Sequence, residues 1–294
     1  MRRPLAQQAV GWLAIAPGLL LILALTVYPV GFALWLSLLE KHSFFPEQRF
    51  VGLDNFVYLW TDAEFWQSLW YGVVYSVWTI VLQILLGVAA ALVLHQPFRG
   101  RGLARAMVLF PYMIPTIVAV ILWKWLLNDT YGVLNYLLLA WGVVHDPISW
   151  LGADHIMLSL IAVSVWQFFP FVLLAILARL QTIPEELYDA AKVDGASAVG
   201  RFVYITLPHI RGILFVVILL RSIWMFTKFD TVWLMGEWAG AGRFIRTLPV
   251  YAYMRTFTYY QAGLGSALAV VMFGILMATT VVYFALFRKE ADVG

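Results

Sequence analysis

Lys124, Arg221, Lys228 and Asp230 stand inside stretches that are otherwise almost wholly apolar. A charge in such surroundings is costly and is kept where it meets a cavity, a partner or a ligand, so these four are the first candidates for chemistry. Arg221 and Lys228 are seven residues apart and share one helical face, with Met225 on the same stripe. That face is expected to look into a pathway, where two cations would suit an anionic group. Arg221 and Asp230 form the other arrangement open to these residues, an internal charge balance. Catalysis finds little support. His42, His95, His145, His155 and His209 lack metal-ligand spacing, no serine, histidine and acid constellation can be assembled, and there are no cysteines. Lys41, Lys124, Lys192, Lys228 and Lys289 are followed by His, Trp, Val, Phe and Glu, so the chain has no phosphate loop of its own for ATP.

The elements that must position these residues are set by composition. With 294 residues, 63 % hydrophobic and 12 % charged, the chain has too little polar surface to cover a soluble globule. A net charge of +3, scattered through loops, gives no face that could track nucleic acid. Crossing a bilayer takes about 20 apolar residues per helix, and six stretches qualify: 12–38, 69–94, 106–127, 156–180, 213–235 and 263–287. The first is too long for a cleavable leader. Arg2 and Arg3, then Arg99, Arg101 and Arg105, then Arg179, Lys192, Arg201 and Arg211, then Arg288 and Lys289 alternate with loops poorer in basic residues. The positive-inside rule then puts both termini in the cytoplasm. The expected fold is an all-α bundle of six transmembrane helices, with residues 1–294 as one domain.

The loop after the fourth span, 181–211, is the most informative segment. Thr182 with Glu185 three residues on has a capping-box pattern, Pro184 suits a first turn, and Glu185, Glu186 and Asp189 favour the positive end of a helix. Gly195 should end that helix. A second short helix is expected from about 197 to 204, with Pro208 opening the approach to the fifth span. Ala190 and Ala191 leave a flat face that another protein's groove can approach closely.

Asp189-Ala190-Ala191, three residues, Gly195, nine residues and Ile205-Thr206-Leu207-Pro208 together resemble the permease subunits of ATP-binding-cassette importers, with aspartate in place of the glutamate that names the motif. The resemblance implies a type I importer transmembrane domain whose loop is a coupling helix. Its implied ATPase-contacting residues are Glu185, Glu186, Tyr188, Asp189, Ala190, Ala191, Asp194, Gly195, Ala196, Leu207 and Pro208. Phe50-Val51-Gly52-Leu53-Asp54-Asn55-Phe56, Phe110-Pro111-Tyr112-Met113-Ile114-Pro115 and Gly263-Leu264-Gly265-Ser266-Ala267 are similar to the carbohydrate branch, in particular its maltose-permease-like first subunit. The Gly236-Glu237-Trp238-Ala239-Gly240 stretch departs from that branch.

On that resemblance the pathway positions fall on Tyr112, Thr116, Ser164, Gln167, Phe168, Phe171, Arg221, Met225 and Lys228, with few identities kept. The residue types still suit a sugar: aromatic faces stack on C–H surfaces, while Gln167, Ser164 and Thr116 offer hydrogen bonds. Phe168, Phe169 and Phe171 equally suit packing between helices. The implied partners are a second homologous permease, two ATP-binding-cassette ATPases that bind ATP and magnesium, an extracytoplasmic sugar-binding protein and membrane lipid. No cofactor or metal is expected in this chain, and the place is a bacterial or archaeal cytoplasmic membrane. The competing readings are import of an anionic polyol such as glycerol phosphate by the same architecture, and an ion-coupled secondary transporter, for which Asp230 is the one clear acid within a span.

Overall fold

The computed structural model describes the backbone of residues 5–291 and the side chains of residues 12–236 and 240–287. Arg2 and Arg3 lie outside the described residues, as do the side chains of Glu237, Trp238, Ala239, Arg288 and Lys289. In chain order the helices are α1 (Leu5–Ile22), α2 (Tyr28–Ser37), α3 (Asp54–Thr61), α4 (Ala63–His95), α5 (Arg101–Met113), α6 (Thr116–Leu126) and α7 (Val133–Ala140). They continue as α8 (Ile156–Leu180), α9 (Glu185–Val193), α10 (Ala198–Arg201), α11 (Leu207–Phe226), α12 (Asp230–Ala239), α13 (Leu248–Tyr253) and α14 (Ala262–Ala291). A short antiparallel ribbon pairs β1 (Leu39–Lys41) with β2 (Gln48–Phe50), Leu39 opposite Phe50.

Among the described residues, five helical runs are long and apolar enough to cross a membrane: Trp12–Ser37, Ala63–His95, Ile156–Leu180, Ala198–Phe226 and Ala262–Phe287. The α5/α6 pair makes a sixth only if counted together, because it bends by 98°. The continuous third span expected over 106–127 is therefore broken. Pro115 removes a backbone donor and pushes Ile114 out of the helical region, to φ −78°, ψ 134°.

The fifth span is also displaced from its expected 213–235. Its helix stops at Phe226, and α12 starts afresh at Asp230, whose carboxylate accepts from the Thr231 N–H at 2.9 Å. Its beginning moves the other way. The separate short helix expected near 197–204 is the first turns of the fifth span itself, since a π turn over Phe202–Thr206 joins α10 to α11 without a gap. A second π turn, Leu23–Val27, joins α1 to α2. Each ends two residues before a proline, Pro208 and Pro29, whose missing N–H and bulky ring the widened turn accommodates.

The chain forms two compact units. One comprises the residues up to Phe65 with Tyr251–Ile275. Here Asn55 donates to the carbonyls of Ser37 and Leu39 at 2.8 and 3.0 Å, and Gly52 turns at φ +59°. The Val51-to-Phe56 segment thus fastens α3 beneath the ribbon. Gly263 packs so closely on Leu39 that a Cβ there would collide with the Leu39 carbonyl. Arg255 forms a largely buried ion pair with Asp62, whose carboxylate also accepts from the Tyr251 hydroxyl. Burial, and then the bond to Asp62, push Tyr251 above the ordinary tyrosine value. Burial disfavours the Arg255 cation, yet the hydrogen bond that Arg255 Nε donates to the Tyr251 hydroxyl and the nearby Tyr251, Tyr58 and Asp62 outweigh it and raise its pKa.

The other unit comprises Trp66–Val250 with the residues from Leu276 on. Its centre is α8, which packs on α5 and α11. Ala91, Leu94, Val172, Leu173, Ile176, Leu177, Leu180, Ile210 and Val217 form one apolar cluster. Gly87 lets α4 approach the Val172 side chain of α8 closely.

Candidate functional site: a pathway wall and a docking helix

Ser164, Gln167, Phe168 and Phe171 follow the i, i+3, i+4, i+7 spacing, so α8 presents them on one face. The two helix breaks lie beside this face. Gln167 Nε2 donates to the Ile114 carbonyl at 3.3 Å and reaches Thr116 Oγ1 at 3.5 Å, spanning the α5/α6 bend. Its Oε1 is buried with no hydrogen-bond partner among the described residues.

Behind the face runs a sealed polar network. The Tyr75 hydroxyl meets Ser164 Oγ at 2.9 Å, Gln83 Nε2 donates to the Ser164 carbonyl at 3.1 Å, and Arg221 Nε donates to Gln83 Oε1 at 2.7 Å. Arg221 also reaches the Met225 sulfur at 3.6 Å. Its side chain is only 1 % exposed, and no carboxylate pairs with it among the described residues. The charge is met by rings: the guanidinium carbon lies 5.4 Å from the Phe168 centroid and 5.8 Å from those of Phe171 and Trp224. In a desolvated setting each such contact contributes up to about 2 kcal/mol.

In front of the network the same rings form a wall. Trp224 and Tyr112 are 42 % and 39 % exposed, and half-buried Phe168 and Phe171 stand between them. Phe171 meets Trp224 edge-on at 5.1 Å, and Tyr112 meets Phe168 edge-on at 6.5 Å. Lys228 lies 4.3 Å from the Phe168 centroid and pairs with Asp230 at 2.9 Å. Asp230 therefore balances Lys228, not Arg221, and the two cations do not form an open anion site. Lys124 is accounted for separately, donating to the Leu234 carbonyl of α12 at 3.0 Å.

Helix α9, the expected docking segment, is shaped by local rules. It ends in a Schellman motif: Ala196 N–H donates to the Ala191 carbonyl at 2.8 Å and Gly195 N–H to Lys192 at 3.1 Å, with Gly195 at φ +77°. The expected capping box does not form. Pro184 is the N-cap, and the Thr182 hydroxyl donates back to the Arg179 carbonyl, because the proline ring sets the entry angle. Glu185, Glu186, Asp189, Ala190, Asp194 and Gly195 are exposed, and Ala191, Tyr188 and Ala196 are half-buried. Ser197 caps the following helix, accepting from Gly200 N–H at 3.1 Å.

Residues 83–290 match the family described as binding-protein-dependent transport system inner membrane component. The chain belongs to this family. Among the relatives of this permease, the trehalose/maltose transport system permease protein of Thermococcus litoralis is 36 % identical over 286 residues, covering 96 % of this chain and 95 % of that one. The trehalose transport system permease protein of Mycobacterium tuberculosis is 32 % identical, covering 99 % and 92 %. A bacterial alginate ABC transporter, solved with its alginate pentasaccharide-bound periplasmic protein, contains a chain of the same fold. There the TM-score is 0.84 at 18 % identity, over 98 % of this chain and 97 % of that one.

The permease therefore has the type I importer fold that the coupling-loop spacing implies. Of the nine positions expected to line a pathway, Tyr112, Thr116, Phe168, Phe171 and Lys228 lie on the front of one wall, and Ser164, Gln167, Arg221 and Met225 sit in the layer behind it. Sequence reasoning missed Trp224 on the front, and Tyr75 and Gln83 behind. A signal was present, since Tyr75 and Gln83 are polar residues eight apart on one face of an apolar helix.

Proposed function

We propose that this permease is the first of two homologous transmembrane subunits of an ATP-driven importer for a small carbohydrate. The observation that carries the substrate class is the wall of Tyr112, Phe168, Phe171 and Trp224, with the Thr116 hydroxyl at its edge: ring faces to stack on sugar C–H surfaces, backed by a cation that is already satisfied. The trehalose and maltose names of the relatives support the same reading. An anionic polyol is disfavoured, because Lys228 is neutralised by Asp230 and Arg221 is enclosed.

In this reading residues 1–294 act as one permease domain in the inner membrane, with both termini and α9 in the cytoplasm. Two ATPase subunits, which hold ATP and magnesium, sit below, and hydrolysis belongs to them. A sugar-loaded binding protein docks outside. Closure of the ATPase pair moves α9, flanked by Pro184 and Gly195, and rocks the two permease subunits so that the wall faces alternate sides. The helix breaks at Ile114–Pro115 and Thr227–Phe229 sit at its edges, where bundle movement would change access.

The test is reconstitution of the complete complex in proteoliposomes with the cognate binding protein and labelled trehalose or maltose. Uptake should require enclosed ATP and the binding protein, and should be outcompeted by neutral disaccharide but not by glycerol phosphate. Uptake driven by an ion gradient without ATP would overturn the proposal.

A further inference from the structure

The docking helix α9 touches its own bundle at very few points. Along Glu185–Val193 every side chain is exposed except Tyr188 and Ala191, which are half-buried. Among the described residues the one side-chain ion pair on the helix, Lys192 with Asp189, is internal to it. Tyr188 packs against the apolar cluster that includes Leu180, Ile183 and Ile210. Its hydroxyl then reaches past that cluster to Thr206 Oγ1, at 3.0 Å.

Thr206 is buried and is the last residue of the π turn Phe202–Thr206, where Leu207 N–H bonds to Phe202 five residues back. A π turn holds one extra residue, so a helix can tighten or widen there at small cost. The surroundings of that turn are otherwise fastened. His209 Nδ1 hydrogen-bonds the Ile205 carbonyl at 2.6 Å, and Arg179 of α8 donates to the His209 carbonyl at 2.8 Å. Tyr188 is thus the single side-chain hydrogen bond, among the described residues, from α9 into the one adjustable turn of the fifth span.

Resting on the reading of α9 as the ATPase-docking helix, we propose that the Tyr188–Thr206 hydrogen bond is the strut that carries movement of α9 into the fifth span. Tyr188 and Thr206 are then positioning residues that act on the wall through α11, whose far end bears Arg221, Trp224 and Met225. Unlike the exposed Glu185, Glu186, Asp189 and Ala190, Tyr188 is turned into its own bundle and not out to an ATPase, so losing the strut leaves α9 docked but free to move without the span. Hydrolysis continues while import falls.

The experiment measures labelled sugar imported per ATP hydrolysed by the full reconstituted complex, for Tyr188→Phe, Thr206→Val, the double variant and Thr206→Ser. In parallel, a cysteine at position 190 is labelled with maleimide in the presence and absence of the ATPase subunits. The strut predicts a ratio lowered about fivefold in Tyr188→Phe and in Thr206→Val, the size of one lost hydrogen bond. The double variant should be no worse than either, and Thr206→Ser should restore the ratio, all with Ala190→Cys shielded by the ATPase as before. An unchanged ratio with shielding intact overturns the strut, and so does loss of shielding in Tyr188→Phe, which would make Tyr188 a docking contact. Absence of shielding in the otherwise wild-type complex overturns the docking reading itself.

Discussion

Arg221 donates to the side-chain oxygen of Gln83 at 2.7 Å, and both residues are sealed between α4, α8 and α11. The amide of Gln83 is well chosen for this place. Its oxygen takes the guanidinium and its nitrogen takes the Ser164 carbonyl, so one side chain ties three helices together without adding a second charge. Arg221 is thereby held with its guanidinium carbon 5.4, 5.8 and 5.8 Å from the Phe168, Phe171 and Trp224 ring centroids.

Gln83→Leu should lower stability by about 2 kcal/mol, because it strands a buried charge-assisted donor. Thermal unfolding of the purified complex in detergent would show a lower midpoint. Gln83→Glu should recover only part of the loss, because its carboxylate takes the guanidinium but has no N–H for the Ser164 carbonyl. Combining Gln83→Leu with Arg221→Met should recover most of the loss, since an apolar pair strands nothing.

Trp224→Ala removes the exposed end of the aromatic wall and leaves the network behind it in place. The concentration of sugar-loaded binding protein giving half-maximal ATPase stimulation should rise about fivefold to tenfold, with basal ATPase unchanged. Phe168→Ala should have the larger effect, because Phe168 lies beside both the Arg221 and the Lys228 cation, whereas Trp224 lies beside Arg221. Equal changes in basal and stimulated rates would make both residues structural.

Gly195 sits at φ +77° with open space around its α-carbon, so its requirement is conformational, not steric. Gly195→Asn should therefore keep uptake close to normal. Gly195→Val should cost about 1–2 kcal/mol of local structure and reduce uptake at equal membrane levels.

Gly263 and Gly274 both lie in α14, with opposite expectations. A methyl group at Gly263 meets the Leu39 carbonyl, whereas nothing lies within 4 Å at Gly274. Gly263→Ala should lower the yield of folded protein on size-exclusion chromatography, and Gly274→Ala should leave it unchanged.

Much of this was legible in the chain. The α9 loop was readable because its signals are local: Pro184 before the helix, acids in its first turn, Gly195 after it. The spans were readable because lipid leaves a helix no partner for its backbone but itself. Their interruptions were harder. Hydropathy runs straight through Pro115 and past Lys228, whereas the first stop is set by Pro115 and braced by Gln167 on the Ile114 carbonyl, and the second is marked by the local Lys228–Asp230 pair. Attention to charged residues also hid Gln83, whose neutral amide anchors the most enclosed charge in the described structure.

The central claim, that α9 is a cytoplasmic docking helix for the ATPase, has a clean probe because the natural chain has no cysteine. A single Ala190→Cys should react with a membrane-impermeant maleimide only from the cytoplasmic side, and should be shielded once the ATPase subunits are assembled. Reaction from the outer side, or equal reaction with and without the ATPase, would contradict the account.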